Sequence, residues 1–218
     1  MFYLIGVNHN SQSHLPGATL DKDQAELQRC LEISIEKYRP NLIAVEESDE
    51  TLLDKKKGVT YESIPRNVAE AHGIESIFCE PSGDEKRRIG YKDQSQIHLE
   101  LFTSGLLRDC PPGLEAAAAH AVAISLIFPL REEFWIEKLR KHNQLEVVFV
   151  LGEDHLDTFC RRLEGLGIQS KVLIRGIGVT AAQMCEIEAA RRFPAENPDL
   201  FEAMIKGMRE RDLRLQGC

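Results

Sequence analysis

VVFVLGEDHLDTF, Val147 to Phe159, is the stretch whose reading decides the fold. Its first five residues are all apolar and mostly β-branched, as in a strand buried on both faces. Gly152 breaks the run, and a histidine, His155, follows three places later. The chain opens in the same manner: FYLIGVNHNSQS, Phe2 to Ser13, is an apolar run that breaks into Gly6-x-x-His9. A lone Gly-x-x-His is common by chance. Two copies at the ends of two buried strands, almost a whole chain apart, are not expected of core histidines.

Working outward, Asp21 to Tyr38 reads as a helix, with Asp21 placed to cap it and apolar or small residues at Ala25, Leu27, Leu31 and Ile35. Leu42 to Val45 is a second buried strand, ending in Glu46, Glu47 and Ser48. Ile64 to His72 is a helix closed by Gly73, and Ser76 to Cys79 is a third strand running into Glu80-Pro81. Leu156 to Leu166 is helical and Lys171 to Ile174 is a last strand. Strand and helix alternate, which predicts an α/β fold: a mostly parallel central sheet flanked by helices, with right-handed crossovers. Such sheets place ligand sites beyond the carboxyl ends of their strands. His9, Glu46, Glu47, Glu80 and His155 all fall at such ends.

Between the third and fourth strands lies a helical insert, about residues 82–145, with helices over Tyr91–Leu107, Glu115–Phe128 and Glu132–His142. A helical C-terminal tail, about residues 180–218, is interrupted at Phe193-Pro194 and Asn197-Pro198. The length of 218 residues suits one α/β domain spanning 1–218. In the tail, Met204 and Met208 among charges read as packing on their own domain or on a second copy, a homodimer contact.

The composition, 43% hydrophobic and 28% charged, is that of a folded globular protein. A formal net charge of −8 gives no broad basic face for phosphates, so general nucleic-acid binding is not expected. The N-terminus MFYLIGVNHN lacks the leader and apolar core of a signal peptide, and no apolar run has membrane-spanning length. A cytoplasmic protein without membrane association is the expectation. Six cysteines without a C-x-x-C pair read as free thiols. Neither a phosphate loop nor a Gly-x-Ser-x-Gly elbow is present, and Gly176-Ile-Gly178 lacks the third glycine of a dinucleotide site.

Neutral imidazoles at two strand ends, with carboxylates from a third, are a ligand set for a divalent metal: His9, Glu46 and His155. Alternation along the strand allows one of Glu46 and Glu47 into a site, and Glu46 is preferred, with Glu47 solvated or in support. Glu80, before Pro81, projects from the end of the third strand. Arg131 reads as the opening of a helix, where the helix dipole disfavours a cation. A carboxylate in the site would account for it, as would an ordinary surface position. Gly6 and Gly152 fit tight turns or close packing where a side chain would collide.

The segments GVNH (Gly6–His9), PNLIAVEES (Pro40–Ser48), REEFW (Arg131–Trp135) and LGEDH (Leu151–His155) together resemble the TraB and Tiki-type superfamily, linked to erythromycin esterase-like and ChaN-like proteins. The resemblance runs from Phe2 to about Gly167. It implies an α/β fold with one pocket of two histidines and glutamates, in which His9 and His155 match the motif histidines, Glu46 the strand-two glutamate and Arg131 the upstream arginine. Glu80 corresponds more loosely to an acidic residue after the third strand. Asn8 departs from the family pattern, where a small or hydroxyl residue is common. Members are described as metal-dependent proteases or as ester hydrolases.

Together these readings predict a hydrolase of an ester, amide or phosphoester in a small-molecule or peptide substrate. His9, Glu46 and His155 would hold a divalent ion (Mn, Zn or Co), with Glu80 as base, Arg131 steadying negative charge and Glu47 in support. The alternatives are a metal-independent esterase-like enzyme, in which one histidine takes a proton from water, and a binding protein that keeps the pocket.

Overall fold

The computed structural model describes residues 1–54, 58–142 and 145–216. Five parallel strands form its central sheet: β1 (Phe2–Val7), β2 (Leu42–Val45), β3 (Glu75–Phe78), β4 (Val147–Gly152) and β5 (Ser170–Ile177), in the order β3-β2-β4-β1-β5. All four neighbouring pairs are parallel. The expected α/β architecture is therefore present, and its last strand is longer at both ends than Lys171–Ile174.

Alternation in β1 and β4 explains how fully apolar strands are used. Phe2 and Leu4 share one face with Val147, Phe149 and Leu151, and pack with Leu156, Phe159 and Leu163 of helix Glu153–Gly165 and with Trp135 and Leu139. Tyr3, Ile5 and Val7 share the other face with Val148 and Val150, and pack against Leu27, Leu31 and Ile35 of helix Lys22–Tyr38 and Ile64 and Val68 of helix Ile64–Ala71. Both faces are covered, as parallel sheets require.

Adjacent β1 and β4 thus send their helices to opposite faces. Helix Lys22–Tyr38 carries the chain from β1 to β2, and helix Glu153–Gly165 carries it from β4 to β5 on the far side of β1. This divergence is a topological switch point, the place where open parallel sheets leave a crevice at their carboxyl edge. The register sets Gly6 opposite Leu151 and Val7 opposite Gly152, so the two Gly-x-x-His segments leave the sheet side by side.

Local chemistry fixes several boundaries. Asp21 caps its helix through the N–H groups of Asp23 and Gln24, with Gln24 answering in a capping box. Helix Glu153–Gly165 starts directly after Gly152, a turn earlier than expected, which puts His155 in its first turn. The helix expected from Glu132 begins at Phe128 and ends at Leu139, followed by a 3-10 turn over Arg140–His142. Pro129 is accommodated in its first turn, where no backbone N–H is needed, so Arg131 does not open the helix.

The chain packs as two compact units: Met1–Glu85 with Glu132–Thr180, and Lys86–Arg131 with Ala181–Cys218. Most of the insert and the tail, expected as two attachments of one domain, thus join each other in the second. Ile97, Leu101, Ala118, Val122, Phe193, Met204 and Met208 form its buried core, so the two methionines face inward in their own unit. Pro194 does not interrupt the tail; it lies inside helix Ala181–Glu196, close to its end. No helix among the described residues is long and apolar enough to cross a membrane.

Candidate functional site

The carboxyl edge of the sheet holds the strand-end residues, and the first of them, His9, sits in a 3-10 turn, His9–Ser11. Asn8 builds that turn. Its side-chain oxygen accepts the N–H of Asn10 at 3.0 Å and its amide nitrogen donates to the carbonyl of Gly178 at 3.2 Å. Asn8 therefore fastens the His9 turn to the segment that follows β5.

The two motif glycines serve each other's segments. A Cβ on Gly152 would lie 2.9 Å from Nε2 of His9, and one on Gly6 would collide with Oε2 of Glu153. Each motif thus supplies the clearance for a side chain of the other. Glu153, fully buried, is in turn anchored by the Arg175 guanidinium at 3.0 Å and the Gly176 N–H at 2.9 Å.

Glu46 is the centre of the arrangement. Its N–H continues the ladder by donating to the carbonyl of Val150 at 2.9 Å, and its Oε2 accepts the N–H of Gly152 at 2.5 Å. Its other oxygen, Oε1, lies 3.7 Å from Nε2 of His9 and 3.9 Å from Nε2 of His155. The side chains of Glu46 and His155 are buried, whereas that of His9 is 52% exposed and gives the cluster its open side. Behind His155, Nδ1 lies 3.1 Å from Oε1 of buried Glu132, which also accepts the Thr158 hydroxyl at 2.5 Å. The Trp135 ring stands edge-on to the His155 ring at 4.9 Å, and Phe149 and Phe159 pack on Trp135.

Glu47 points away from this cluster, as alternation requires, but it is buried and not solvated. Its Oε2 accepts the hydroxyl of Ser63, the cap of helix Ile64–Ala71, at 2.5 Å. Burial pushes its carboxyl up to about 7; the Ser63 hydrogen bond opposes the rise and the neighbouring Glu46 charge adds to it. Glu80 is buried beside it, its N–H donating to the carbonyl of Glu47 at 3.1 Å. The adjacent Cys79 thiol is pushed up to about 12 by burial, which keeps it protonated and unreactive.

Arg131 belongs to the second unit, where its guanidinium lies 5.7 Å from the centre of the Tyr91 ring. Its neighbour Glu132 is the residue the sequence reading passed over. Glu132, Trp135 and Leu139 recur at helical spacing, which puts the acid on the buried face of its helix. Gln12 was also passed over: fully buried, it brings its Nε2 to 3.4 Å from Nδ1 of His9.

The donor set bears on the expected metal. Two ligands bonded to one tetrahedral ion at about 2.1 Å stand roughly 3.4 Å apart. The separations of 3.7 and 3.9 Å at Glu46 are somewhat wider, and Oε2 of Glu46 is engaged by the Gly152 N–H. Among the described residues, no group of three or more His, Cys, Asp or Glu is arranged to hold a metal ion. What stands at the sheet edge is a carboxylate flanked by two imidazoles, one of them backed by a second carboxylate. Proton transfer is the chemistry such a set performs directly.

Comparison with protein-family models, curated proteins and solved structures returned no match to this chain.

Proposed function

We propose that this protein is a cytoplasmic hydrolase of small ester or phosphoester substrates, with an acid–base centre formed by His9, Glu46, His155 and Glu132. One observation carries the reading: imidazoles from two strand ends direct Nε2 at the same buried carboxylate oxygen, at 3.7 and 3.9 Å. In support, the cluster lies at the switch point of the sheet, the usual location of sites in this fold class, and the four segments resembling the TraB and Tiki-type superfamily carry His9, Glu46 and His155. His9 is the exposed member and meets the substrate; Glu46 fixes its ring from behind. Glu132 orients His155 as the carboxylate of a triad orients its histidine.

Metal assistance is a second reading, favoured by the convergence of both Nε2 atoms on one oxygen. It assigns His9, Glu46 and His155 to a divalent ion that would supply Lewis-acid polarisation and an acidified water.

The test is turnover of a panel of small esters and phosphoesters by protein purified without chelator, together with elemental analysis. The acid–base reading predicts turnover that survives exhaustive chelation and falls to background in His9→Ala, with an unchanged circular dichroism spectrum. Loss of turnover on chelation, restored by Mn²⁺, Zn²⁺ or Co²⁺, would select the metal reading. Full activity in folded His9→Ala would refute both.

A further inference from the structure

The inner nitrogens of the two histidines face opposite kinds of partner. Nδ1 of His155 faces the Glu132 oxygen that already accepts the Thr158 hydroxyl, and a carboxylate oxygen only accepts. That ring therefore carries its hydrogen on Nδ1 and has its lone pair on Nε2. Nδ1 of His9 faces the Nε2 of Gln12, and an amide nitrogen only donates. His9 therefore accepts at Nδ1 and carries its hydrogen on Nε2.

We propose that Gln12 and Glu132 hold the two imidazoles in opposite tautomers, so that a proton donor (His9 Nε2–H) and a proton acceptor (His155 Nε2) face Glu46 together. Gln12 is a positioning residue in this scheme, acting through His9. A second observation supports its role: Gln12 is fully buried, yet its Oε1 has no hydrogen-bond partner among the described residues. Buried amides ordinarily satisfy both ends. This one leaves its acceptor unmet while its donor serves an imidazole. The main chain holds it there, its N–H donating to the carbonyl of His9 at 3.2 Å and its carbonyl accepting the N–H of Ile64 at 2.8 Å.

Turning the amide over would set Oε1 against Nδ1 of His9 and move that ring's hydrogen to Nδ1. Both histidines would then offer lone pairs at Glu46, the state a metal ion requires of its imidazole ligands. The orientation of one buried amide thus separates a proton-transfer pair from a ligand pair.

The division of labour rests on the hydrolase reading above. In ester hydrolysis, the oxygen of a water forms the new bond to the carbonyl carbon and its proton passes to Nε2 of His155. His9 donates a hydrogen bond from its Nε2–H to the developing oxyanion, the bond to the alcohol oxygen breaks, and the His155 imidazolium gives its Nε2 proton to that oxygen, which returns both rings to their neutral starting state.

Long-range ¹⁵N–¹H correlation of the histidine rings, on protein without substrate or metal and at a pH where both are neutral, reads the tautomers directly. The expected spectrum has His9 protonated at Nε2 and His155 at Nδ1. The same tautomer in both rings overturns the proposal. In Gln12→Glu the new carboxylate only accepts, so His9 is expected to switch to Nδ1–H while His155 is unchanged; a folded variant in which His9 does not switch removes Gln12 as the determinant. Should that variant fail to fold, the wild-type spectrum decides. No turnover enters the measurement, so it stands or falls apart from the hydrolase assignment.

Discussion

Gly152 is the clearance for His9: a Cβ at position 152 would stand 2.9 Å from the Nε2 atom of that ring. Gly6 provides the same for Glu153. The two differ in what must give way, because His9 is half-exposed and its ring can move, whereas Glu153 is buried and held by Arg175 and Gly176.

Gly152→Ala is therefore expected to leave stability within about 1 kcal/mol of wild type while displacing His9 from Glu46 and lowering turnover. Gly6→Ala must move a fixed side chain in a packed layer and should cost about 1–3 kcal/mol. Urea unfolding midpoints of the two variants, measured beside their activities, check the contrast. Equal destabilisation by both would contradict it.

Trp135 joins the core to the site, since one ring touches Phe149, Phe159 and His155. It is fully buried, and Trp135→Ala should destabilise by about 3–5 kcal/mol. Trp135→Phe keeps most of the packing and should lose much less. It is the only tryptophan, so its fluorescence follows unfolding of the sheet in the wild type, and circular dichroism follows it in the variants.

Glu132→Gln tests the carboxylate behind His155. The amide oxygen can still accept from Nδ1, but a neutral group stabilises the imidazolium less than a carboxylate does. Turnover should fall by about 10²-fold or more with little change in KM, because the loss is felt when His155 gains charge. A fall confined to KM would place Glu132 in substrate binding instead.

The sheet strands were legible because β1, β2 and β4 are unbroken apolar runs, which only a sheet covered on both faces accommodates. Their ends were legible for the same reason: a charged or imidazole side chain directly after such a run marks where the apolar strand stops, although Glu46, Glu47 and His155 stay buried there. The order of the strands was not written in any one segment, since it depends on which face each crossover takes. Glu132 was hidden by the neighbouring Arg131, although its spacing to Trp135 and Leu139 marks a buried face. Gln12 lies in a short polar turn without periodicity, and nothing local announces that it is enclosed. The joining of the insert with the tail was obscured by distance along the chain, with β4, helix Glu153–Gly165 and β5 between them.

Glu47 gives the protein a pH dependence separate from its histidines. Its folded carboxyl is raised from an ordinary value of 4.5 to about 7, chiefly by burial, so the folded state binds this proton more tightly than the unfolded state does. The contribution to stability is fully present below about pH 4.5 and is lost as pH rises through about 7. A displacement of that size corresponds to about 3 kcal/mol. In Glu47→Gln no proton is bound in either state, so the fall in stability between pH 4.5 and 7 should flatten, and the variant should be relatively more stable at pH 8 than at pH 5. Ser63→Ala removes the hydrogen bond that opposes the rise and should steepen the same slope. Unfolding free energies from urea titrations at pH 5, 6, 7 and 8 measure both. Parallel curves for wild type and Glu47→Gln would show that Glu47 is charged throughout, and that the enclosure around it is looser than its burial indicates.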